Sequence, residues 1–216
     1  GITQRPRRNR KSSAIRGLVR ETHLASEHLI LPLFVIEGNG VSSPIAAMPG
    51  CSRLSIDGIL NVCKEAHHLG VAGTALFPGV SDDIKDTIAS ESTNDNGLLQ
   101  RCVRAIKEEI PEFLVITDVA MDPYSTQGHD GFVTKEGEID NDITIPILCD
   151  MAVSQAKAGA DMVAPSDMMD GRVGEIRKAL DKAGYTNVGI NSYCTKYCSA
   201  FYGPFRDALD SAPRGG

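Results

Sequence analysis

The segment NSYCTKYCSAFYGPFRDA, residues 191–208, places a lysine just past a short strand-like run. An amine aimed into an enclosed pocket can form a Schiff base with a carbonyl substrate, whereas a lysine at the start of a surface loop is a solvated charge. Schiff-base chemistry at neutral pH needs an unprotonated Lys196, so its ordinary pKa of ~10.4 must fall by ~3.4 units. We expect apolar cover from Phe201 and Phe205 and a positive field from Arg206 to lower this pKa.

A second polar stretch, DVAMDPYSTQGHDG at residues 118–131, carries hard oxygen donors. Asp122, His129 and Asp130 have the character of ligands for Mg²⁺, because oxygen-rich sets suit magnesium rather than zinc. The same stretch also suits a turn-rich loop in which aspartates accept hydrogen bonds from backbone amides. Both interpretations are open from the residue types alone.

A third stretch, APSDMMDGR at residues 164–172, offers Ser166 and Asp167. Either side chain can cap the following helix, and contact with a substrate is the alternative.

The two cysteines that flank Lys196, Cys194 and Cys198, are interpreted as buried small residues rather than metal ligands. The cysteines form no C-x-x-C pair, which indicates thiols of a reducing compartment rather than a disulfide framework.

Apolar runs alternate with amphipathic helices along the chain, a pattern typical of parallel strands covered on both faces. Predicted strands cover residues 30–36, 71–78, 113–120, 161–167 and 187–193. Predicted helices lie between Ser55 and Gly70, from Leu98 to Pro111, and over about 142–158 and 171–183.

Three successive predicted strands each end in a polar residue. Asp118, Ser166 and Lys196 end or follow the third, fourth and fifth strands. Because the C-terminal ends of parallel strands meet at one edge, we expect these side chains to share a pocket. A doubly wound sheet and a (β/α)₈ barrel both fit the pattern, and the lack of a glycine-rich nucleotide loop favours the barrel.

Charge and hydropathy exclude two classes of protein. The 216 residues carry a net charge of −6, which argues against general nucleic-acid binding. No apolar run approaches the ~20 residues that span a bilayer, so no membrane partner is expected. Residues 5–20 are rich in arginine and lysine and have no acidic side chain. They suit a solvated arm or an arm lying on a partner subunit, and they lack aromatic residues for stacking on bases.

Six segments together resemble the 5-aminolevulinate dehydratase family, also called porphobilinogen synthase, in order and over essentially the whole chain. They are RPRRNR, LILPLFV, PIAAMPG, ITDVAMDPYSTQGHDG, GADMVAPSDMMDGR and SYCTKYCSAFYGPFRDA. The resemblance implies an α/β (β/α)₈ TIM barrel. Residues 1–22 would form an arm that embraces a neighbouring subunit of a homo-octamer, and residues 23–216 would hold about five of the eight βα units.

The same resemblance implies a lyase that condenses two 5-aminolevulinate molecules to porphobilinogen, a tetrapyrrole precursor. Lys196 matches the first of the family's two Schiff-base lysines. Asp118 and Ser166 match pocket residues near the lysines. The segment that closes over substrate is matched by Tyr202, Phe205 and Arg206, of which the arginine suits a substrate carboxylate.

The loop at residues 118–131 divides the family by its metal. Zinc-dependent members carry three cysteines there, and the matching positions in this chain are Ala120, Asp122 and Asp130. The resemblance is therefore to the magnesium-responsive group of bacteria and plastids, which implies Mg²⁺, no catalytic zinc, and a bacterial cytoplasm or plastid stroma. Asp122 and Asp130 are the candidate magnesium ligands.

The chain departs from the family in one respect. The second Schiff-base lysine lies in a segment like M-V-K-P, which this sequence lacks. We therefore expect the sequence to be a portion of a longer enzyme and to be inactive by itself. Two other interpretations are a class I aldolase-like barrel that uses Lys196 alone and a non-catalytic homologue that assembles through its basic arm.

Overall fold

A mostly parallel sheet forms the centre of the chain, whose computed structural model describes residues 1–197 and 199–209. The strands are β1 (Ile30–Val35), β2 (Ser42–Pro44), β3 (Ser52–Leu54), β4 (Gly73–Pro78), β5 (Leu114–Val119), β6 (Phe132–Val133), β7 (Ile139–Asp140), β8 (Met162–Pro165) and β9 (Gly189–Ile190). The helices are α1 (Ser13–Leu18), α2 (Ile56–His68), α3 (Leu98–Glu109), α4 (Asn141–Ala158), α5 (Arg172–Lys182) and α6 (Gly203–Leu209).

The order of strands in the main sheet is β2-β3-β1-β4-β5-β8-β9, and β6 pairs with β7 in a separate antiparallel hairpin. The pairs from β1 through β4, β5 and β8 to β9 are all parallel. Only the short β2 runs antiparallel to its neighbour in this sheet. The C-terminal ends of β5, β8 and β9 therefore lie side by side, as the sequence predicts.

The five predicted strands and four predicted helices are confirmed, with one strand much shorter than expected. The alternating pattern indicates a strand over residues 187–193, but β9 pairs for only two residues, opposite Met162 and Val163. Beyond Ile190, the amides of Asn191 and Tyr193 still donate hydrogen bonds to β8, to the carbonyl oxygens of Val163 and Pro165 respectively. The chain then leaves the sheet, which is what brings Lys196 across the strand ends.

Alternate residues of the strands face two different cores. Val35 and Leu76 are fully buried against α2 and α3. Phe34 and Phe77 point to the opposite face, where the ring of Phe205 from α6 lies 5.9 and 5.1 Å from theirs. The helix α6 thus covers apolar surface on the face of β1 and β4 that α2 and α3 do not touch.

The cysteines differ in their burial. Cys63 and Cys102 are buried in the helix-side core, and burial raises the pKa of the Cys63 thiol to about 12. Cys194 is exposed, so its interpretation as a buried small residue is wrong. It is exposed because the chain has left the sheet by this position. Cys198 lies outside the described residues.

Residues 1–29 lie on the surface with several large apolar side chains in solvent. Ile2, Leu18 and Leu24 are 73%, 86% and 81% exposed. The helix α1 has its own N-cap, because Ser12 Oγ accepts a hydrogen bond from the amide of Ile15 at 3.2 Å. No helix in the described ranges is both long and apolar enough to cross a bilayer.

Two glycines provide matched alanine substitutions that test the close contact between β4 and β5. A Cβ at Gly73 would lie 2.2 Å from the carbonyl oxygen of Leu114, whereas one at Gly174 in α5 would meet nothing within 4 Å. We expect Gly73→Ala to lower the free energy of unfolding by ~1–3 kcal/mol through overpacking. Gly174→Ala should raise it by ~0.5–1 kcal/mol, because alanine loses less backbone entropy in a helix. Urea unfolding of both variants measures this, and equal effects would contradict the register.

Candidate active site

Side chains from three adjacent strand ends meet in one hydrogen-bonded group. Ser166 Oγ, just past β8, donates to Asp118 Oδ1 of β5 at 2.7 Å. Lys196 Nζ, beyond β9, donates to the Ser166 carbonyl oxygen at 3.1 Å and to Asp130 Oδ2 at 2.9 Å. The lysine is therefore anchored at the strand ends and is not a solvated surface residue.

A cavity of about 290 Å³ opens beside this group and is bounded by the loop after β5 and by the segment leading into α6. Its volume is close to the lower end of the range for small-molecule pockets. Two cationic side chains of the cavity make cation–π contacts with the ring of Tyr202. Lys196 Nζ lies 5.5 Å and Arg206 Cζ 5.4 Å from the ring centroid. The polar lining residues are Asp122, His129, Asp130, Lys196, Tyr197, Ser199, Tyr202 and Arg206.

The expected apolar cover over Lys196 is absent from this group. Phe201 is 93% exposed and shields nothing. Phe205 packs instead against the core phenylalanines and lies next to Tyr202, with a centroid distance of 5.8 Å. Lys196 keeps 18% of its side-chain surface in solvent, and Asp130 covers its charged end.

The pKa of Lys196 is shifted in the direction opposite to the sequence expectation. Burial lowers it, but the charge and hydrogen bond of Asp130, with Tyr202 and Asp122 contributing, outweigh burial and raise the pKa above its ordinary value. The prediction of a lowered pKa is therefore wrong for the unliganded site, because carboxylates rather than cations face the amine. The ammonium group of Lys196 must therefore lose a proton before it can react with a substrate.

Two buried carboxyl groups beside the lysine have raised pKa values. Burial raises the pKa of Asp118 to about 7, against the opposing effects of the Ser166 hydrogen bond and the Lys196 charge. Burial also raises the pKa of Asp167 to about 6, although the amide of Met169 and the charge of Arg172 oppose it. Carboxyl groups that titrate near neutral pH can hold or release protons during a reaction.

The two candidate magnesium ligands in the loop after β5 both line the cavity. Asp130 is paired with Lys196, and Asp122 lines the same cavity with 8% of its surface exposed. Within residues 1–197 and 199–209, no group of three or more His, Cys, Asp or Glu side chains is arranged to hold a metal ion. Magnesium ligation by Asp122 and Asp130 stays a prediction.

Two contacts that position the site have little or no signal in the sequence. The fully buried Gln155 of α4 donates to the carbonyl oxygen of Asp118 at 2.7 Å and accepts from Thr117 Oγ1 at 2.8 Å. Arg172 at the start of α5 donates to the carbonyl oxygen of Tyr193 at 2.8 Å. A polar residue on the sheet-facing side of α4 is the signal that points to Gln155, whereas no spacing rule relates Arg172 to Tyr193.

Known proteins match the chain over its whole length. A family model described as delta-aminolevulinic acid dehydratase matches residues 3–216. The chloroplastic delta-aminolevulinic acid dehydratase of Oryza sativa is 53% identical over 216 residues, which are 100% of this chain and 50% of that protein. That of Chlamydomonas reinhardtii is 51% identical over 100% of this chain and 55% of that protein. The chain thus spans about half the length of the curated relatives it matches.

A solved structure matches the fold closely. It is the crystal structure of a delta-aminolevulinic acid dehydratase (porphobilinogen synthase) from Toxoplasma gondii in complex with the reaction product porphobilinogen. The TM-score is 0.95 and the sequence identity 52%, over 100% of this chain and 61% of that one. The mostly parallel sheet and its helices are therefore the architecture of that enzyme over the matched part.

The raised pKa of Asp118 predicts a specific dependence of stability on pH. The folded state holds this proton between the unfolded pKa of ~3.9 and the folded value of about 7, so stability is lost as pH rises through that window. Asp118→Asn keeps the shape but cannot ionise. We expect the free energy of unfolding of wild type to fall relative to this variant by up to ~1.4 kcal/mol per pH unit.

Urea unfolding between pH 4.5 and 7.5 measures the difference between wild type and Asp118→Asn. Asp150→Asn, which changes an exposed carboxylate on α4, controls for a general change of charge. A difference that stays constant across this range for Asp118→Asn would contradict a buried, neutral Asp118.

Proposed function

The chain belongs to the delta-aminolevulinic acid dehydratase family, and we propose that the whole protein condenses two 5-aminolevulinate molecules to porphobilinogen with loss of two water molecules. The observation that carries the proposal is the position of Lys196. Its amine lies at the edge of a cavity of small-metabolite size, held by Asp130 and the Ser166 carbonyl. The architecture around it matches that of an enzyme solved with porphobilinogen bound.

The first step proposed is Schiff-base formation between Lys196 and the ketone of one substrate molecule. The ammonium group passes a proton to Asp130 Oδ2, its hydrogen-bond partner at 2.9 Å, which leaves a nucleophilic amine. The amine attacks the ketone carbon, the C–O bond of the resulting carbinolamine breaks, and the oxygen departs as water. A substrate that fills the cavity beside this ion pair would exclude water from both charges, which favours the neutral amine and the neutral acid and so favours this proton transfer.

Asp118 is proposed as the proton reservoir of this step. Its pKa of about 7 leaves both protonation states populated at neutral pH. Ser166 Oγ donates to one carboxyl oxygen of Asp118 and the Ser166 carbonyl oxygen accepts from Lys196, so one residue holds the acid and the amine close together. A neutral Asp118 can supply the proton that the departing oxygen needs.

The segment leading into α6 is proposed to bind and enclose the substrate. Arg206 offers a guanidinium to the substrate carboxylate, a pairing for which its planar fork of donors is suited. Tyr202 stacks beside it, and Phe205 fastens the helix to the core through Phe34 and Phe77. Movement of this segment would then open and close the cavity.

The larger assembly of the protein is a proposal that follows from the family. The parallel strands β1, β4, β5, β8 and β9 would form about five units of a (β/α)₈ barrel that also contains a second lysine. Residues 1–22 would be the arm of a homo-octamer, in which a partner subunit would cover their exposed Ile2 and Leu18. Mg²⁺ and the plastid stroma are proposed as metal and location, the latter because relatives from rice and a green alga are chloroplastic.

Borohydride trapping tests the role of Lys196 in the whole protein. Incubation with 5-aminolevulinate followed by borohydride should give a stable secondary amine on the peptide that contains Lys196, located by mass spectrometry. Lys196→Arg should abolish the adduct at this position, because a guanidinium does not form the Schiff base. The control Lys157→Arg changes a surface lysine that pairs with Asp95 and should leave the adduct intact. Wild type without an adduct at Lys196 would contradict the proposal.

A further inference from the structure

Arg172 joins two loops at the edge of the candidate site. It begins α5, keeps 17% of its side chain exposed, and directs its guanidinium toward the chain that follows β9. One Nη donates to the carbonyl oxygen of Tyr193 at 2.8 Å and to Ser192 Oγ at 3.3 Å. The other Nη donates to the carbonyl oxygen of Met169 at 3.2 Å. One side chain thus connects the loop after β8 to the segment that carries Lys196.

Asp167 faces the remaining edge of this guanidinium. It is fully buried, and its Oδ1 lies 3.4 Å from Arg172 Nε. Among the described residues neither of these two atoms has a hydrogen bond, so they face each other as an ion pair. The other oxygen of Asp167 accepts from the amide of Met169 at 2.9 Å. This contact holds a turn whose central residue, Met168, has a φ of 68° and lines the cavity.

Few backbone hydrogen bonds hold the segment between β9 and Lys196 against the sheet. The strand pairs over only two residues, and Tyr193 N, which donates to the Pro165 carbonyl at 3.2 Å, is the last backbone donor in the described segment to reach β8. The Tyr193 carbonyl is bound by Arg172, three residues before the reactive amine. A shift of this carbonyl would therefore move Lys196 relative to Asp130 and the Ser166 carbonyl.

We propose that Arg172, oriented by Asp167, is a positioning residue that fixes the place of Lys196 in the site. The inference deepens the proposed function, because it concerns the amine that would form the Schiff base. Arginine is suited to the role since its planar guanidinium reaches acceptors on both loops at once. A lysine at this position has a single charged nitrogen and cannot bridge the same set of acceptors and Asp167.

A second arginine of α5, Arg177, serves as a matched control, because it contributes to packing without contacting the segment that carries Lys196. Arg177 donates to the carbonyl oxygens of Val188 at 2.6 Å and Tyr185 at 3.0 Å and pairs with Asp181. It therefore ties the same helix to the chain entering β9, whereas Arg172 ties it to the chain leaving β9. Both arginines stabilise the packing of α5, but only Arg172 holds the segment next to Lys196.

The test compares Arg172→Lys with Arg177→Lys in the whole protein. The first readout is the rate at which 5-aminolevulinate becomes trapped on Lys196 by borohydride, and the second is the thermal midpoint. We expect similar losses of thermal midpoint, but a roughly ten- to hundredfold slower trapping only for Arg172→Lys, because a displacement of ~1 Å costs about that much. Equal trapping rates in the two variants would overturn the positioning role.

A third readout, the rate of reductive methylation of Lys196, needs no catalytic activity. Formaldehyde with cyanoborohydride methylates accessible lysine amines, and mass mapping gives the rate at Lys196. Release of Lys196 from Asp130 and Ser166 should speed its methylation in Arg172→Lys and, to a smaller extent, in Asp167→Asn, but not in Arg177→Lys. An unchanged rate in Arg172→Lys would overturn the inference. Wild type that is methylated normally but never trapped by 5-aminolevulinate would instead contradict the proposed function alone.

Discussion

The ion pair between Lys196 and Asp130 is the contact on which the candidate site depends. It joins the loop after β5 to the segment after β9, with 18% and 16% of the two side chains exposed. Partial burial removes solvent from both charges, and each would be costly without the other. The pair therefore fixes the position of the amine and also keeps it protonated. Because a protonated amine is not a nucleophile, Lys196 stays unreactive until a substrate enters the site.

The fold supports this pair through contacts that lie outside the cavity. Parallel pairing places β5 beside β8 and β8 beside β9, so Asp118, Ser166 and Lys196 meet without any long loop. Gln155 then holds the end of β5 from the helix side, and Arg172 holds the chain leaving β9. The short pairing of β9 makes the last of these contacts important, because few backbone hydrogen bonds remain to place the lysine.

The sequence predicts the periodic parts of this arrangement well. Apolar runs and glycine-ended helices are enough to locate the five parallel strands, and the parallel order is enough to place Asp118, Ser166 and Lys196 at one edge. The electrostatics of the site could not be predicted in the same way. Periodicity does not say which direction the loop after β5 takes, and that direction decides that Asp130 rather than Arg206 faces Lys196.

The effect of Asp130 on Lys196 can be measured as the pKa of Lys196 in unliganded protein labelled with ¹³C at the lysine ε carbon, followed by NMR as a function of pH. We expect a pKa above the ordinary ~10.4 in wild type and a lower pKa in Asp130→Asn, in which burial acts without the opposing carboxylate. Lys196→Arg assigns the resonance by its disappearance. A wild-type pKa below the ordinary value, or one that Asp130→Asn leaves unchanged, would show that the ion pair with Asp130 does not control the protonation of Lys196.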